Sequence, residues 1–399
     1  MMRRMDGRRD HPTVEAVKLS GSRRAVRAVL AGYWSFGQFW GVWVILVFEF
    51  QRAHGVTDAG IGLDYTLLSV VALGFMLVVA PRLQPLPLSA SVSLALASMS
   101  VAAFAIGFLS TSAILVGFAL VGIGNALIDV YLNVAGQRLE SQLHQPILQW
   151  IHATYSLGGI TGAAVAGAIR AAGLNYRLGF AYAGGCLLVT TVWNAAAMPR
   201  ERSPEGGRTL FSVTAIFRSP MLMVPALVVL AAFLIEGSMD AWSGLYLRGE
   251  LGASATAAAV TFVAFAAAMF VGRLFAGRIL FGIGRRTTIV VAGAGSLVGA
   301  SIAAAATSTL VVGVGFLILG FTLAAAAPAA FGLAGDAGTD PASAISAVTT
   351  VGYTGFVWSP ALLGWVAQAF SLRAAMGVIA VATLGIVAGG VLSPRDVHP

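Results

Sequence analysis

One cysteine, one lysine and five histidines in 399 residues leave little material for several kinds of chemistry. The single thiol, Cys186, lies inside an apolar run, which excludes an intramolecular disulfide and argues against a thiolate metal site. The histidines, His11, His54, His144, His152 and His398, are scattered without zinc-like spacing, so no metal and no other cofactor is expected. The lone lysine, Lys18, is followed by Leu-Ser and has no Gly-rich loop before it, which excludes a phosphate-cradling nucleotide module. Charge is scarce too: 10% of residues are Asp, Glu, Lys or Arg, against about 25% in a soluble domain.

What fills the chain is apolar. It is 58% hydrophobic, with a mean hydropathy of +0.86. Runs of roughly 20 apolar residues, enough to cross about 30 Å of hydrocarbon, recur with short interruptions. Twelve are expected: 27–50, 57–80, 86–109, 112–136, 147–170, 175–198, 219–247, 253–281, 287–306, 309–334, 341–369 and 372–393. The fold class that follows is an all-α membrane protein, with twelve transmembrane helices in two pseudo-symmetric six-helix bundles. The bundles would occupy 25–198 and 219–393, joined by a cytoplasmic linker at 199–218 and flanked by cytoplasmic tails at 1–24 and 394–399. The first 24 residues are polar and Arg-rich with no apolar core, unlike a secretory signal peptide, and are expected to form a disordered tail.

The formal net charge of +8 is a statement about topology. With the N-terminus in the cytoplasm, 19 of the 24 basic residues fall on the inner side, and only Arg52, Arg170, Arg177, Arg248 and Arg373 fall outside. That bias is the positive-inside pattern, so both termini are expected in the cytoplasm of a multi-pass protein of the cytoplasmic (inner) membrane. Nucleic acid is not expected as a partner. A small-molecule solute, protons and the lipid bilayer are, with the chain a monomer.

A weak internal repeat supports two halves: "VAGQ" at 134–137 and "LAGD" at 333–336 both end the fourth run of their half. Such repeats are common in transporter folds. "GIG" at 122–124 and "GAG" at 293–295 lie within apolar runs and are assigned to close helix packing.

Several strings resemble the major facilitator superfamily, and within it a YbjJ-type branch related to the fucose-permease-like transporters. They are "DVYLN" at 129–133, "WIHATYSLGGITGA" at 150–163, "EGSMDAWSGLYL" at 236–247, "GRLFAGRILFGIGRR" at 272–286 and "GYTGFVWSPALLGWVAQ" at 352–368. The resemblance implies secondary transport by alternating access. Two departures stand out. "APRLQPLPLS" at 80–89 has no acid where the superfamily's signature carries one, and Gly277 stands where the second half would have an Asp. Arg273 and Arg278 of that second string are assigned to a cytoplasmic gate.

Polar side chains inside spans are functional candidates, because each is expensive in hydrocarbon. Asn125, Asp129 and Asn133 form one stripe on the fourth run at i, i+4, i+8. Asp129, Asn133 and His152 form either a cytoplasmic-side proton relay or a fixed interhelical clamp. On the seventh run Glu236, Asp240 and Ser243 share a face, and two carboxylates one turn apart resist being ionised together. Glu236, Asp240 and Asp129 are therefore the proton-coupling candidates. Trp34, Gln38, Asn125, Asn133, His152, Tyr155 and Tyr353 are the substrate-cavity candidates, while Glu49 and Asp64 are expected to be solvated. Pro328 and Pro360 mark expected kinks.

The function expected is a secondary active transporter of a small polar or amphiphilic solute, coupled to protons. A proton-antiporting exporter of hydrophobic compounds and a transport-silent membrane sensor are the alternatives. Catalysis is not expected: no Ser-His or metal-ligand pair stands at catalytic spacing, and His152 with Ser156 alone is weak.

Overall fold

The computed structural model describes residues 14–79, 82, 86–143, 145, 147–198, 220–337 and 341–394. The expected linker and most of the short C-terminal tail lie outside the described residues. Twelve helices follow in antiparallel succession: α1 (Val14–His54), α2 (Asp58–Gly74), α3 (Leu88–Phe108), α4 (Ile114–Leu143), α5 (Ile147–Ala171) and α6 (Arg177–Ala197), then α7 (Met223–Leu245), α8 (Ala255–Ile283), α9 (Arg285–Ala305), α10 (Thr309–Ala337), α11 (Pro341–Ala369) and α12 (Leu372–Leu392). Helices α2 and α7 each end in a π-helical turn, Phe75–Val79 and Tyr246–Glu250. Helix α1 begins ten residues before the expected end of the tail, so 24 does not mark a structural boundary.

Among the described residues, nine helices are long and apolar enough to cross a membrane by length and composition alone. The three that fall short are α2, α5 and α11. Each of the three meets a partner across the two halves, α2 against α11 and α5 against α8, as α1 also meets α7.

Local chemistry sets the helix ends. Thr57, Ser254 and Ser371 accept from the backbone N–H three residues on, at 3.1, 3.1 and 3.0 Å, and open α2, α8 and α12. Helix α10 is interrupted at 324–325, between its Thr309–Leu323 and Ala326–Ala337 segments. Pro328 explains the break, since it has no N–H to offer the Ala324 carbonyl four residues earlier. Pro360 lies inside α11 without interrupting it.

Glycine sets how closely the helices approach. In the N-terminal half, Gly37 and Gly41 of α1 meet Gly158, Gly159 and Gly162 of α5 backbone to backbone. A methyl group on Gly158 would overlap the Trp34 carbonyl oxygen. Between the halves, Gly244 of α7 lies against the Val44 carbonyl of α1, Gly62 of α2 against Pro360 and Gly364 of α11, and Gly167 of α5 against Ala259 of α8. Each of these residues lies within ten residues of the same end of its helix, the end remote from the start of α1. That side is closed. The side carrying the start of α1 and the end of α12 shows no comparable approach between the halves among the described residues.

Replacing Gly158 with Val should overpack the α1–α5 seam and lower stability by about 1–3 kcal/mol, read as a fall in melting temperature in detergent. Gly185→Ala, where a methyl meets nothing within 4 Å, should not lower it.

Candidate functional site

Midway along α7, Glu236 Oε1 lies 2.7 Å from Nη2 of Arg273, which sits past the middle of α8. Glu236 has 13 residues before it in α7, and Arg273 has 10 after it in α8. The two side chains are 23% and 37% exposed, so the pair lines an open cleft and is not sealed in a dry core. Arg273 was expected at a cytoplasmic gate, and the structure places it here instead. A charge within a span persists where a counter-charge meets it, and the α7 carboxylate supplies one. Arg278 remains exposed nearer the end of α8, its guanidinium 5.9 Å from the Phe275 ring centre.

The N-terminal half faces this pair with α5. The Tyr155 hydroxyl lies within electrostatic reach of Asp240, Glu236, Asp129 and Arg273, and His152 within reach of Arg273 and Glu236. His152 is exposed to the cleft, and the Tyr33 ring of α1 packs edge-on against it at 5.8 Å. Tyr33 in turn senses Asp129 and Tyr353 of α11. Tyr33 thus lies against His152 and within electrostatic reach of Asp129, while the charges within reach of His152 itself are Arg273 and Glu236 rather than Asp129. Asp240, one turn beyond Glu236, is half-buried among Glu236, Arg273 and Tyr65.

The polar stripe of α4 is partly satisfied within its own helix. Asn125 Nδ2 donates to Asp129 Oδ2 at 3.2 Å, and Asn133 Nδ2 donates to the Asp129 backbone oxygen at 2.7 Å. Helix α4 runs seven residues beyond its expected end, which puts Asp129 at the helix midpoint rather than toward one end.

Gln38 does not line the cleft. It is fully buried and donates to Thr161 Oγ1 at 2.7 Å, so it clamps α1 to α5. Trp34 is partly exposed on α1, its carbonyl held against Gly158. Tyr353 belongs to an aromatic wall with Phe233, Phe331 and Phe356, whose ring centres lie 4.9 to 6.5 Å apart in their contacts. Sequence reasoning passed over Tyr33, Phe233 and Phe356. The signal was helical spacing: Phe233 precedes Glu236 by three residues, and Phe356 follows Tyr353 by three.

On the closed side, Glu49 of α1 takes Arg248 Nη1 at 2.7 Å and Arg170 Nε at 3.1 Å. Its side chain is 11% exposed, which corrects the expectation that it is solvated. Asp64 is likewise buried rather than solvated. Tyr65 accepts from Trp43 Nε1, and its hydroxyl lies 3.4 Å from the Ala241 carbonyl across the seam. On the other side Arg285 of α9 pairs with Asp336 of α10, and a methyl at Gly277 would meet only open space.

The geometry is that of two six-helix bundles closed at one end around a polar cleft, and comparison with known proteins agrees. Similar curated proteins include an uncharacterized MFS-type transporter of Yersinia pestis, 29% identical over 269 residues that cover 67% of this chain and 69% of that one. Membrane protein MosC of Rhizobium meliloti is 24% identical, covering 91% of this chain and 89% of the other. Among solved structures, the nucleoside transporter NupG superposes with a TM-score of 0.76 at 11% identity, covering 94% of this chain and 99% of NupG. A bacterial homolog of the human lysosomal transporter Spinster, in an inward-facing and unoccupied conformation, gives 0.70 at 14% identity over 93% and 94%. At those identities the structural likeness is one of fold. The family model of the Major Facilitator Superfamily matches residues 28–357, most of the chain, and the protein belongs to that superfamily.

Proposed function

We propose that this transporter is a proton-coupled symporter of a small polar or amphiphilic solute in the cytoplasmic membrane, from the YbjJ-type branch. The observation that carries the reading is the partly exposed Glu236–Arg273 pair, midway along α7 and past the middle of α8, with Asp240 one turn away. The arginine distribution supports an orientation in which the closed side is the outer one and the cleft opens to the cytoplasm. The same bias puts both termini in the cytoplasm.

In this reading, a proton on Glu236 neutralises the carboxylate and releases Arg273. The freed guanidinium then holds a polar group of the solute, with His152 and Tyr155 opposite. The aromatic wall of Phe233, Tyr353 and Phe356 stacks on the solute's apolar part. Rocking of the halves about the cleft exposes it to either side, and departure of solute and proton lets the pair re-form. Asp129 sits across the cleft and biases the same field through Tyr155 and Tyr353. The substrate residues are thus Tyr155, Tyr353, His152, Asn125 and Asn133, while Gln38 holds the scaffold together.

A thermal-shift screen of sugars, sugar acids, amino acids and lipophilic cations at two pH values names the solute class, since a ligand stabilises by mass action. Hits confined to lipophilic cations would favour an exporter. With the substrate in hand, proton-driven uptake into proteoliposomes is expected to fall roughly 10- to 100-fold in Glu236→Gln, because Arg273 then stays released and no proton enters the cycle. What remains should no longer depend on pH. Wild-type uptake indifferent to pH and to uncouplers would contradict the coupling.

Accessibility tests the orientation separately. In a Cys186→Ser background, His152→Cys should react with a membrane-impermeant thiol reagent supplied from the cytoplasmic side and be protected from the outer side. Equal or reversed labelling would contradict an inward-open cleft.

A further inference from the structure

The chain keeps basic residues away from the closed side, where only five of 24 are found. Four of those five converge. Arg52, Arg170 and Arg248 line a cavity of about 360 Å³ at the mouth of the closed end, together with Phe48, Asn175 and Tyr176. Arg177 lies within electrostatic reach of the neighbouring His54. The fifth, Arg373, is spent elsewhere on Glu250 at 3.3 Å and on the Ala304 and Ala306 carbonyls at 3.0 and 2.7 Å.

The cavity is short of negative charge. Glu49 is the one carboxylate lining it, against three guanidinium groups. A single oxygen of Glu49 meets both Arg170, which also donates through Nη1 to the Leu174 carbonyl, and Arg248; Glu49 Oε2 and Arg248 Nε and Nη1 are buried without a hydrogen-bond partner. Asp58, at the start of α2, accepts from Gln51 Nε2 at 2.6 Å. Arg52 and Arg248 both stand over the Phe48 ring, at 5.6 and 4.7 Å from its centre. Two like charges sharing one ring beside one carboxylate form a site that gains from a further anion.

We propose that this cavity binds a carboxylate or phosphate group, held by Arg52, Arg170 and Arg248 in competition with Glu49. The volume suits a small organic anion, and its position at the helix ends equally suits the phosphate of a lipid headgroup. Glu49 belongs to the N-terminal half and Arg248 to the C-terminal half, so an anion that takes Arg248 loosens a tie across the closed seam. The site is separate from the Glu236–Arg273 cleft and does not rest on the solute carried there.

The test is the melting temperature of the purified protein titrated with succinate and with inorganic phosphate, at ionic strength held constant with NaCl. A parallel series uses nanodiscs of phosphatidylcholine with and without phosphatidylglycerol. A saturable rise is expected, with apparent affinity weakened about tenfold in Arg52→Gln. Glu49→Gln, which removes the competing carboxylate, should tighten binding. If that variant does not fold, Arg52→Gln against wild type decides. A rise with the soluble anions assigns the site to a solute, and a rise with phosphatidylglycerol alone assigns it to a headgroup. No saturable rise in any series, a rise unchanged in Arg52→Gln, or one abolished by Arg273→Gln instead would overturn the proposal.

Discussion

A charge held halfway across a bilayer needs a partner and a place in which to be wet, and Glu236 and Arg273 impose both conditions on everything around them. Each charge is balanced by the other. Because both stay partly exposed, the surrounding helices must leave a cleft. The cleft in turn requires two separate bundles, and the polar residues of α4, α5 and α11 are in place because their helices border it. A fixed ion pair would only stabilise the C-terminal half. A pair facing open space has room to exchange its partner for a proton or a solute group, the step proposed above.

The second constraint is the close approach that shuts one end. Without a hydrophobic drive between helices in lipid, association relies on small residues and interhelical contacts. Gly244 on the Val44 carbonyl, Gly62 on Pro360 and Gly167 on Ala259 bring the halves together at one end only. The Glu49–Arg248 pair adds an electrostatic tie at the same end. Opening this end has to undo those backbone approaches, the Tyr65 contact to the Ala241 carbonyl and the ion pair.

The sequence made the architecture plain, because a twenty-residue apolar run has few other meanings at this composition. All twelve expected runs coincide with helices, and the charged midpoint of the seventh run was visible from Glu236 and Asp240 alone. What a single sequence could not convey was partnership. Arg273 was assigned to a cytoplasmic gate because nothing in one dimension sets it against Glu236, 37 residues earlier. Gln38 looked like a cavity residue because its depth was right, while its direction, toward Thr161, depends on how α1 rotates against α5. Tyr33 was overlooked beside Trp34 for the same reason, since adjacent residues on a helix point about 100° apart. Glu49 lay near a helix end, as a solvated residue would, and only the fold brings Arg170 and Arg248 to it.

The central claim is that Glu236 changes protonation during the cycle and that Arg273 is released when it does. Infrared difference spectroscopy of the reconstituted protein across a pH titration, wild type against Glu236→Gln, observes that carboxyl directly. The account predicts a protonated-carboxyl C=O band that rises and falls with pH in the wild type, shifts when solute is added, and is missing from the variant. A wild-type spectrum with no such band at any pH where transport occurs would mean that Glu236 stays ionised beside Arg273, and the pair would then be structural.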